Sequence, residues 1–352
     1  MARTGRAVVA HGQTFEIREY PVPDPAAGKV LLRQELAGIC GTDLHNWQNG
    51  IQGEMLLGHE NVGIVEAIGA GGAEDYLGQS LEEGDRVIFA PGTLGHGAYG
   101  FYTTPDVAPH FYGGFADYIY LGLPTTCLMK TTASAEVAVL TEPFTVGVHA
   151  AMRGQVKLGD TVVVQGSGAI GLVTLLCAKL MGAAQLIVVG GPAKRLELAR
   201  KYGADVTINI EEVRSVEERT KQVLWHTPKK AGADVVFECS GFLPATPEGL
   251  GYVKHSGTFV EVGHFVDMGS IELNINRLMM RKNLRFEAIW GSQYEHFVRG
   301  LRILEKNEYP YGEMVSHTLP LERVVEGFHA LDGRYRLGNE EVIKIVVKAE
   351  EE

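Results

Sequence analysis

The spacing of apolar and polar residues changes twice along this chain. Its first part contains short apolar runs, rich in β-branched and aromatic residues and separated by glycine and proline, which predict strands. The clearest predicted strands are 30–36, 62–68, 86–90 and 115–121. This texture is typical of a compact, irregular and β-rich domain.

From about residue 155 the pattern becomes regular, because unbroken apolar runs alternate with helical stretches. The predicted strands are 161–165, 186–189, 206–208, 234–238 and 258–262, and the predicted helices are 170–181, 194–202, 213–225 and 248–254. This alternation predicts a parallel sheet with helices on both faces. A doubly wound Rossmann sheet is the leading candidate. After residue 290 the pattern changes again, to a helix at 293–306, short pieces and a strand at 342–347.

The bulk composition excludes several classes of function. A length of 352 residues suggests two domains. With a net charge of −11, the protein is not expected to have the basic surface that binding of nucleic acid requires. The four cysteines are Cys40, Cys127, Cys177 and Cys239, too widely spaced for a disulfide framework. No apolar run reaches the ~18–20 residues of a membrane span. We therefore expect a cytoplasmic protein with neither a nucleic-acid nor a membrane partner.

A glycine-rich motif lies between the first strand and the first helix of the regular part. Gly166, Gly168 and Gly171 form G-x-G-x-x-G with Ser167, Ala169 and Ile170 between them. In this context the glycines permit a tight turn, close approach to a pyrophosphate and close helix–strand packing. Backbone N–H groups at the helix start attract the anion. The motif therefore predicts a dinucleotide site.

The end of the next strand leaves the choice of dinucleotide open. Gly190 stands where an acidic residue normally binds the ribose hydroxyls, and Lys194 and Arg195 follow it. These two residues are either partners of a 2′-phosphate or ordinary solvated helix residues. Both NAD and NADP therefore stay candidates.

Potential metal ligands are concentrated in the first part. Cys40, His59, Glu60 and Glu142 are of the residue types found in catalytic zinc sites, which use three protein ligands and keep one position open. There is no close Cys-x-x-Cys pair, so spacing alone does not define a site. Taken singly, Cys40 also fits a small buried hydrophobe and His59 a core histidine.

Taken together, the motifs resemble those of the zinc-dependent medium-chain dehydrogenase/reductase family. They are G-x-C-G-T-D-x-H around Cys40, G-H-E-x-x-G around His59 and E-P-x-x-x-G-x-H from Glu142, followed by the glycine motif. The resemblance covers nearly the whole chain. It implies an α/β protein with a GroES-like, β-rich catalytic domain at 1–150, a Rossmann cofactor domain at 151–289 and a return to the catalytic domain at 290–352.

The resemblance also implies roles for individual residues. Cys40 and His59 match zinc ligands, Glu60 matches a ligand or an exchangeable one, and Glu142 occupies the third-ligand position, binding directly or through water. Thr42 and His45 match a proton relay, and Asp43 matches a carboxylate that orients His59. The implied reaction passes a hydride between an alcohol and NAD or NADP, while zinc polarises the substrate oxygen and Thr42 and His45 relay the proton.

One departure from the family narrows these expectations. Many relatives hold a structural zinc on four cysteines, but the matching stretch, 91–114, contains none, so we expect one catalytic zinc and no structural zinc. The missing cysteines and Glu142 favour the sorbitol and threonine dehydrogenase-like branch, whose substrates are polyols, secondary alcohols or threonine. The alternatives are a zinc-free quinone or enoyl reductase and a non-catalytic member. A homodimer or homotetramer is expected, paired through a strand near 284–289.

Overall fold

The computed structural model describes residues 3–101, 110–333 and 335–349. The chain divides into two compact units, of which unit 1 is Met1–Glu142 with Leu301–Glu352 and unit 2 is Pro143–Gly300. The domain limits 1–150, 151–289 and 290–352 stay a prediction. Among the described residues, no helix has both the length and the apolar character needed to cross a membrane.

The strands of the described residues are β1 (Thr4–Gly12), β2 (Thr14–Pro21), β3 (Val30–Gly38), β4 (Ile51–Met55), β5 (Glu60–Ile68), β6 (Arg86–Phe89), β7 (Tyr118–Leu121), β8 (Leu128–Lys130), β9 (Thr161–Gln165), β10 (Gln185–Gly190), β11 (Val206–Asn209), β12 (Ala233–Glu238), β13 (Val253–Glu261), β14 (Arg285–Ala288), β15 (Val315–Pro320), β16 (Arg336–Leu337), β17 (Glu340–Glu341) and β18 (Lys344–Lys348). The α-helices are α1 (Gly41–Gln48), α2 (Ala135–Ala138), α3 (Thr141–Gly154), α4 (Ala169–Leu180), α5 (Ala193–Lys201), α6 (Val216–Trp225), α7 (Ala245–Tyr252), α8 (Ile275–Leu278), α9 (Tyr294–Glu305) and α10 (Val324–Asp332). Short 3₁₀ turns occupy Pro228–Lys230, Met280–Lys282, Tyr311–Met314 and Leu321–Arg323.

Unit 1 is built on a seven-stranded sheet in the order β15-β18-β3-β5-β6-β8, with β7 also paired to β3. A three-stranded sheet, β2-β1-β4, accompanies it. Strand β3 is central, because β5 and the late strand β18 both pair with its last residues in antiparallel fashion. This pairing brings the residues after β3, those at the start of β5 and those at the start of β18 into one region.

Unit 2 contains a six-stranded parallel sheet in the order β11-β10-β9-β12-β13-β14. All five residues of β9 are buried, as an apolar strand covered on both faces requires. The strand order reverses between β9 and β12, which makes that point the topological switch of a doubly wound sheet. The predicted fold class, a GroES-like domain with a Rossmann domain, is confirmed.

Most predicted elements are confirmed with shifted ends, and three of them illustrate why the ends shift. The strand predicted at 115–121 begins only at Tyr118. The helix predicted at 213–225 begins at Val216, because the Ser215 hydroxyl accepts a hydrogen bond from the Glu218 N–H and caps the helix. The helix predicted at 248–254 ends at Tyr252, and the β-branched Val253 opens β13 instead.

Candidate functional site

Strand pairing in unit 1 brings Cys40, His59 and Glu60 together. Cys40 follows β3 and caps α1, while Glu60 begins β5 opposite Gly38, the last residue of β3. One ligand atom from each of the three lies within 4.8 Å of the others. A thiol, an imidazole and a carboxylate therefore converge at one point.

Asp43 links the start of α1 to His59. Its Oδ2 accepts a 2.9 Å hydrogen bond from the Cys40 N–H, and its Oδ1 lies 3.3 Å from His59 Nδ1. Both side chains are buried. Burial lowers the pKa of His59, but Asp43 and Cys40 raise it more, so that the pKa lies well above its ordinary value. The surroundings of this imidazole thus favour a positive charge.

The ring of Phe101 stacks on the other side of His59, with centroids 3.8 Å apart and an interplanar angle of 23°. Phe101 therefore lies at the cluster. Trp47 and Phe111 belong to the hydrophobic core of unit 1, and Trp290 of unit 2 is exposed.

Lys344 extends the cluster on the side of Glu60. Its ammonium donates a hydrogen bond to Glu60 Oε1 and a second, 3.0 Å long, to the carbonyl of Ile39. The side chains of Lys344 and Glu60 are only 6% and 1% exposed, so this ion pair is buried. A methyl group added at Gly38 would overlap Glu60 Oε2 and reach within 3.0 Å of Lys344 Cε, so the pair requires glycine there.

Glu142 lies in the first turn of α3 and interacts electrostatically with His59, Glu60 and Lys344. Burial raises the pKa of its carboxyl, and the attraction of His59 opposes this rise. Among the described residues, Glu142 is not part of the set whose ligand atoms lie within 4.8 Å.

The cluster has the donor atoms that a zinc ion requires. Within the described residues, His59 Nδ1 faces Asp43 Oδ1 at 3.3 Å and Glu60 pairs with Lys344. Sulfur, nitrogen and carboxylate oxygen are the usual ligands of a catalytic zinc. A carboxylate beside the second ring nitrogen of a histidine ligand is a common supporting arrangement. The residues present fit the metal.

Thr42 and His45 lie on α1, three positions apart, which places them on one side of the helix. The Cys40 thiol donates to Thr42 Oγ1 over 3.7 Å. Burial lowers the pKa of His45, and its hydrogen bond with Gln48 opposes this change only in part. His45 is therefore biased toward the neutral imidazole that accepts a proton.

In unit 2 the glycine motif has the geometry that its sequence predicts. Gly166 has a φ of +102°, and a methyl group added there would come within 2.8 Å of the Ser240 nitrogen. Gly168 caps α4, so Ala169, Ile170 and Gly171 form its first turn. A methyl group at Gly171 would overlap the Gly166 carbonyl. Only glycine fits these two positions.

The end of β10 excludes an acidic side chain for a steric reason. A methyl group at Gly190 would lie 2.5 Å from Ser167 Oγ, which hydrogen-bonds to the N–H and the carbonyl of Gly191. Arg195 of α5 is buried, and its Nη1 would lie 3.8 Å from a methyl group on Gly168. Lys194 precedes it and is exposed. A guanidinium thus lies beside the glycine-rich turn.

Sequence reasoning did not identify Lys344 as part of the cluster. The one available signal was a single lysine between the apolar residues 342–343 and 345–347. In the stretch 91–114, residues 102–109 lie outside the described residues. His96 is exposed there, and His110 stacks on Tyr20.

Comparison with known proteins agrees with this arrangement. Residues 26–133 match the alcohol dehydrogenase GroES-like domain and residues 169–306 the zinc-binding dehydrogenase domain. Sorbitol dehydrogenases of Pongo abelii and Ovis aries are 32% and 33% identical, with 92% of this chain and 91% and 92% of the relatives aligned. An alcohol dehydrogenase structure from Thermotoga maritima superposes with a TM-score of 0.90 at 28% identity, covering 99% of this chain and all of that one.

These matches cover both domains and nearly the full length of the chain. They agree with two features of the structure, which are the convergence of Cys40, His59 and Glu60 and the glycine motif of unit 2. The chain belongs to the zinc-dependent medium-chain dehydrogenase/reductase family and is an NAD(P)-dependent oxidoreductase that acts on alcohols.

Proposed function

We propose that this protein oxidises the secondary hydroxyl of a polyol or related alcohol at a single catalytic zinc. The observation that carries the proposal is the convergence of Cys40, His59 and Glu60 within 4.8 Å, beside Thr42 and the buried Asp43. Sorbitol dehydrogenases are among the relatives that align over nearly the whole chain, which supports a polyol substrate. Threonine stays within the substrate range to be tested.

Cys40 and His59 would hold the metal, and a carboxylate from Glu60 or Glu142 would complete the set. When bound, zinc supplies a Lewis acid that makes the alcohol hydroxyl more acidic, and the nicotinamide accepts the hydride. Asp43 keeps the His59 ring in one orientation through the 3.3 Å approach to Nδ1. Phe101 covers the face of that ring.

The proton of the substrate hydroxyl leaves through Thr42 and His45. Thr42 Oγ1 accepts the proton as it donates its own, so the hydroxyl returns to its starting state. His45, one turn further along α1, takes up the proton as a neutral imidazole. Burial, which lowers the pKa of His45, keeps it ready to accept near neutral pH.

The glycine-rich turn of unit 2 binds the cofactor. Gly166, Ser167 and Gly168 present the turn to the pyrophosphate, and the N–H groups of Ala169, Ile170 and Gly171 face it at the start of α4. The lack of an acid at Gly190, with Lys194 and Arg195 close by, favours tolerance of a 2′-phosphate. NADP therefore joins NAD as a candidate.

Two further features belong to the same proposal. The absence of cysteine from 91–114 supports one zinc per chain without a structural zinc. A homodimer or homotetramer is supported by β14, which ends the order of the parallel sheet and pairs with β13. An edge strand of this kind offers unpaired backbone groups to a second chain.

The test is reduction of NAD and NADP, offered separately, by zinc-replete protein with polyols, simple secondary alcohols and threonine. Cys40→Ser is expected to lose zinc and turnover together, whereas Cys127→Ala, a change at a buried cysteine of unit 1, retains both. Turnover that survives in metal-free protein would favour a zinc-free reductase instead. Bound zinc without turnover on any substrate would favour a non-catalytic member.

A further inference from the structure

A second cluster of titratable side chains lies in unit 2, at the ends of two neighbouring strands. Glu238 ends β12, Glu261 ends β13, and the two face each other in the parallel ladder, so their side chains project from the same face of the sheet. His264 follows three residues after Glu261. One polar atom from each of the three lies within 4.8 Å of the others.

The contacts within this triad, Glu238, Glu261 and His264, are favourable only if one of the groups carries a proton. His264 Nδ1 lies 2.9 Å from Glu261 Oε1 and 3.6 Å from Glu238 Oε2. Glu238 is fully buried, and the side chains of Glu261 and His264 are each 15% exposed. In the described part of the chain, neither carboxylate contacts a lysine or an arginine. Two carboxyl groups this close cannot both ionise at low cost.

The surroundings strengthen this requirement. Burial first, and the charge of Glu261 second, raise the pKa of Glu238 well above that of an exposed carboxyl. Cys239 is a further titratable neighbour, whose pKa is also raised by burial, so it stays a neutral thiol. Thr246 of α7 donates to Glu261 Oε2 over 3.2 Å. One proton is therefore held among Glu238, Glu261 and His264.

The same carboxyl groups order the two turns that follow their strands. Glu238 Oε1 accepts hydrogen bonds from the N–H and the hydroxyl of Ser240, and its Oε2 accepts one from the Gly241 N–H. Glu261 Oε1 accepts a 3.2 Å hydrogen bond from the Gly263 N–H. The two turns also pack closely, because a methyl group at Gly241 would lie 2.6 Å from the Gly263 carbonyl.

These turns lie at the edge of the sheet where a doubly wound fold binds its ligand. The switch point is between β9 and β12, and ligands bind outside the carboxyl ends of the strands there. The Ser240 turn is in contact with the glycine motif, since a methyl group at Gly166 would come within 2.8 Å of the Ser240 nitrogen. Glu238 is therefore connected to the glycine motif through the Ser240 turn.

We propose that Glu238, Glu261 and His264 share one proton, and that this proton holds the two turns in the arrangement that binds the dinucleotide. The inference rests on the proposed function, because it requires a dinucleotide in unit 2. When the proton leaves to solvent, two adjacent negative charges remain. They repel each other and the pyrophosphate, so the affinity for the dinucleotide falls as pH rises.

The experiment measures the dissociation constant of NADH, by its fluorescence, in zinc-loaded protein from about pH 6 to about pH 9, a range above the ordinary pKa of glutamate. NADH is chosen because a 2′-phosphate would itself titrate near the start of this range. If the pKa of the cluster is about one unit higher with NADH bound than without it, loss of the proton as pH rises increases the dissociation constant about tenfold. We expect that change in the wild-type protein.

Glu261→Gln keeps the shape and supplies a permanent N–H donor to Glu238 in place of the shared proton. The NADH dissociation constant of this variant is expected to change less than about twofold over the same pH range. The reason is that Glu238 then faces a neutral amide with which it cannot share a proton. The matched control is Glu272→Gln, the same change at an exposed position of unit 2, which retains the wild-type profile. Circular dichroism establishes that both variants fold.

An unchanged wild-type profile in Glu261→Gln would overturn the inference while leaving the proposed function intact. So would a second tightly held divalent ion in the wild-type protein that Glu261→Gln loses, since the triad would then be a cation site. Lack of NADH and NADPH binding at every pH would overturn the proposed function and this inference with it. If Glu261→Gln does not fold, the infrared spectrum of the wild-type protein between about pH 6 and about pH 9 decides, and the absence of any protonated carboxyl or imidazolium band that is lost together with NADH affinity contradicts the shared proton.

Discussion

Replacing Lys344 by methionine removes the ammonium that pairs with Glu60 inside unit 1. Methionine has a similar length, so the change mainly deletes the ammonium. The side chain of Glu60 is 1% exposed, and water therefore cannot replace the lost partner. The carbonyl of Ile39 loses a 3.0 Å hydrogen bond at the same time.

The cost follows from this burial. Removing one partner of a buried ion pair typically costs about 3–5 kcal/mol, because the other charge stays buried without compensation. We expect Lys344→Met to lower the free energy of unfolding by that amount. Lys344→Met/Glu60→Gln removes both charges and is expected to recover at least about 1 kcal/mol relative to the single variant, since no uncompensated charge remains.

Urea unfolding of chelator-treated protein is the suitable assay, because bound zinc would add its own stabilisation. The matched control is Lys348→Met, a change at the exposed end of the same strand, which should stay within about 0.5 kcal/mol of wild type. A Lys344→Met protein as stable as the control would refute the reasoning. A double variant no more stable than the single one would show that Glu60 is not the group left unpaired.

Three other predictions concern the site and its cofactor. His45→Ala is expected to slow turnover and to remove the acid limb of the pH profile of turnover, while zinc stays bound. Because burial lowers the pKa of His45, that limb lies below the ordinary histidine pKa of about 6.5. An unchanged pH profile would count against the relay. Lys194→Ala should weaken NADPH binding by about tenfold, which is the contribution of a charge-assisted hydrogen bond, and should leave NADH binding unchanged. Lys201→Ala, at the other end of α5, should change the affinity for neither cofactor. Equal losses of affinity for both cofactors in Lys194→Ala would exclude a 2′-phosphate contact. Gly38→Ala should lower the free energy of unfolding by about 1–3 kcal/mol, because the added methyl group forces Glu60 and Lys344 apart. At Gly12 an added methyl group contacts nothing within 4 Å, so Gly12→Ala costs only the strain of a positive φ. A smaller loss of stability at Gly38 than at Gly12 would contradict the steric account.

Local signals predicted the parallel sheet and the cofactor turn. The strand at 161–165 has three consecutive valines at its centre and is buried throughout, and the glycine motif depends on neighbours within a few residues. The resemblance of the motifs indicated Cys40 and His59 before any distance was known. Helix ends were less predictable, as the cap at Ser215 and the strand start at Val253 illustrate.

The two ionic clusters could not be predicted, because both depend on strand order. Lys344 reaches Glu60 only because β18 and β5 flank the same strand β3. Glu238 and Glu261 meet only because β12 and β13 are neighbours in register. In the sequence each of these residues resembles an ordinary charged residue in or beside a strand, for which exposure to solvent is the usual outcome.

The central claim is that one zinc, held by Cys40, His59 and a carboxylate, is required for alcohol oxidation. Its most direct test is to titrate zinc into chelator-treated protein and follow nicotinamide reduction with the best polyol substrate. The account predicts that activity starts near zero, rises linearly and reaches its plateau at one zinc per chain. Full activity before zinc is added, or a plateau reached only at two zinc ions per chain, would contradict it.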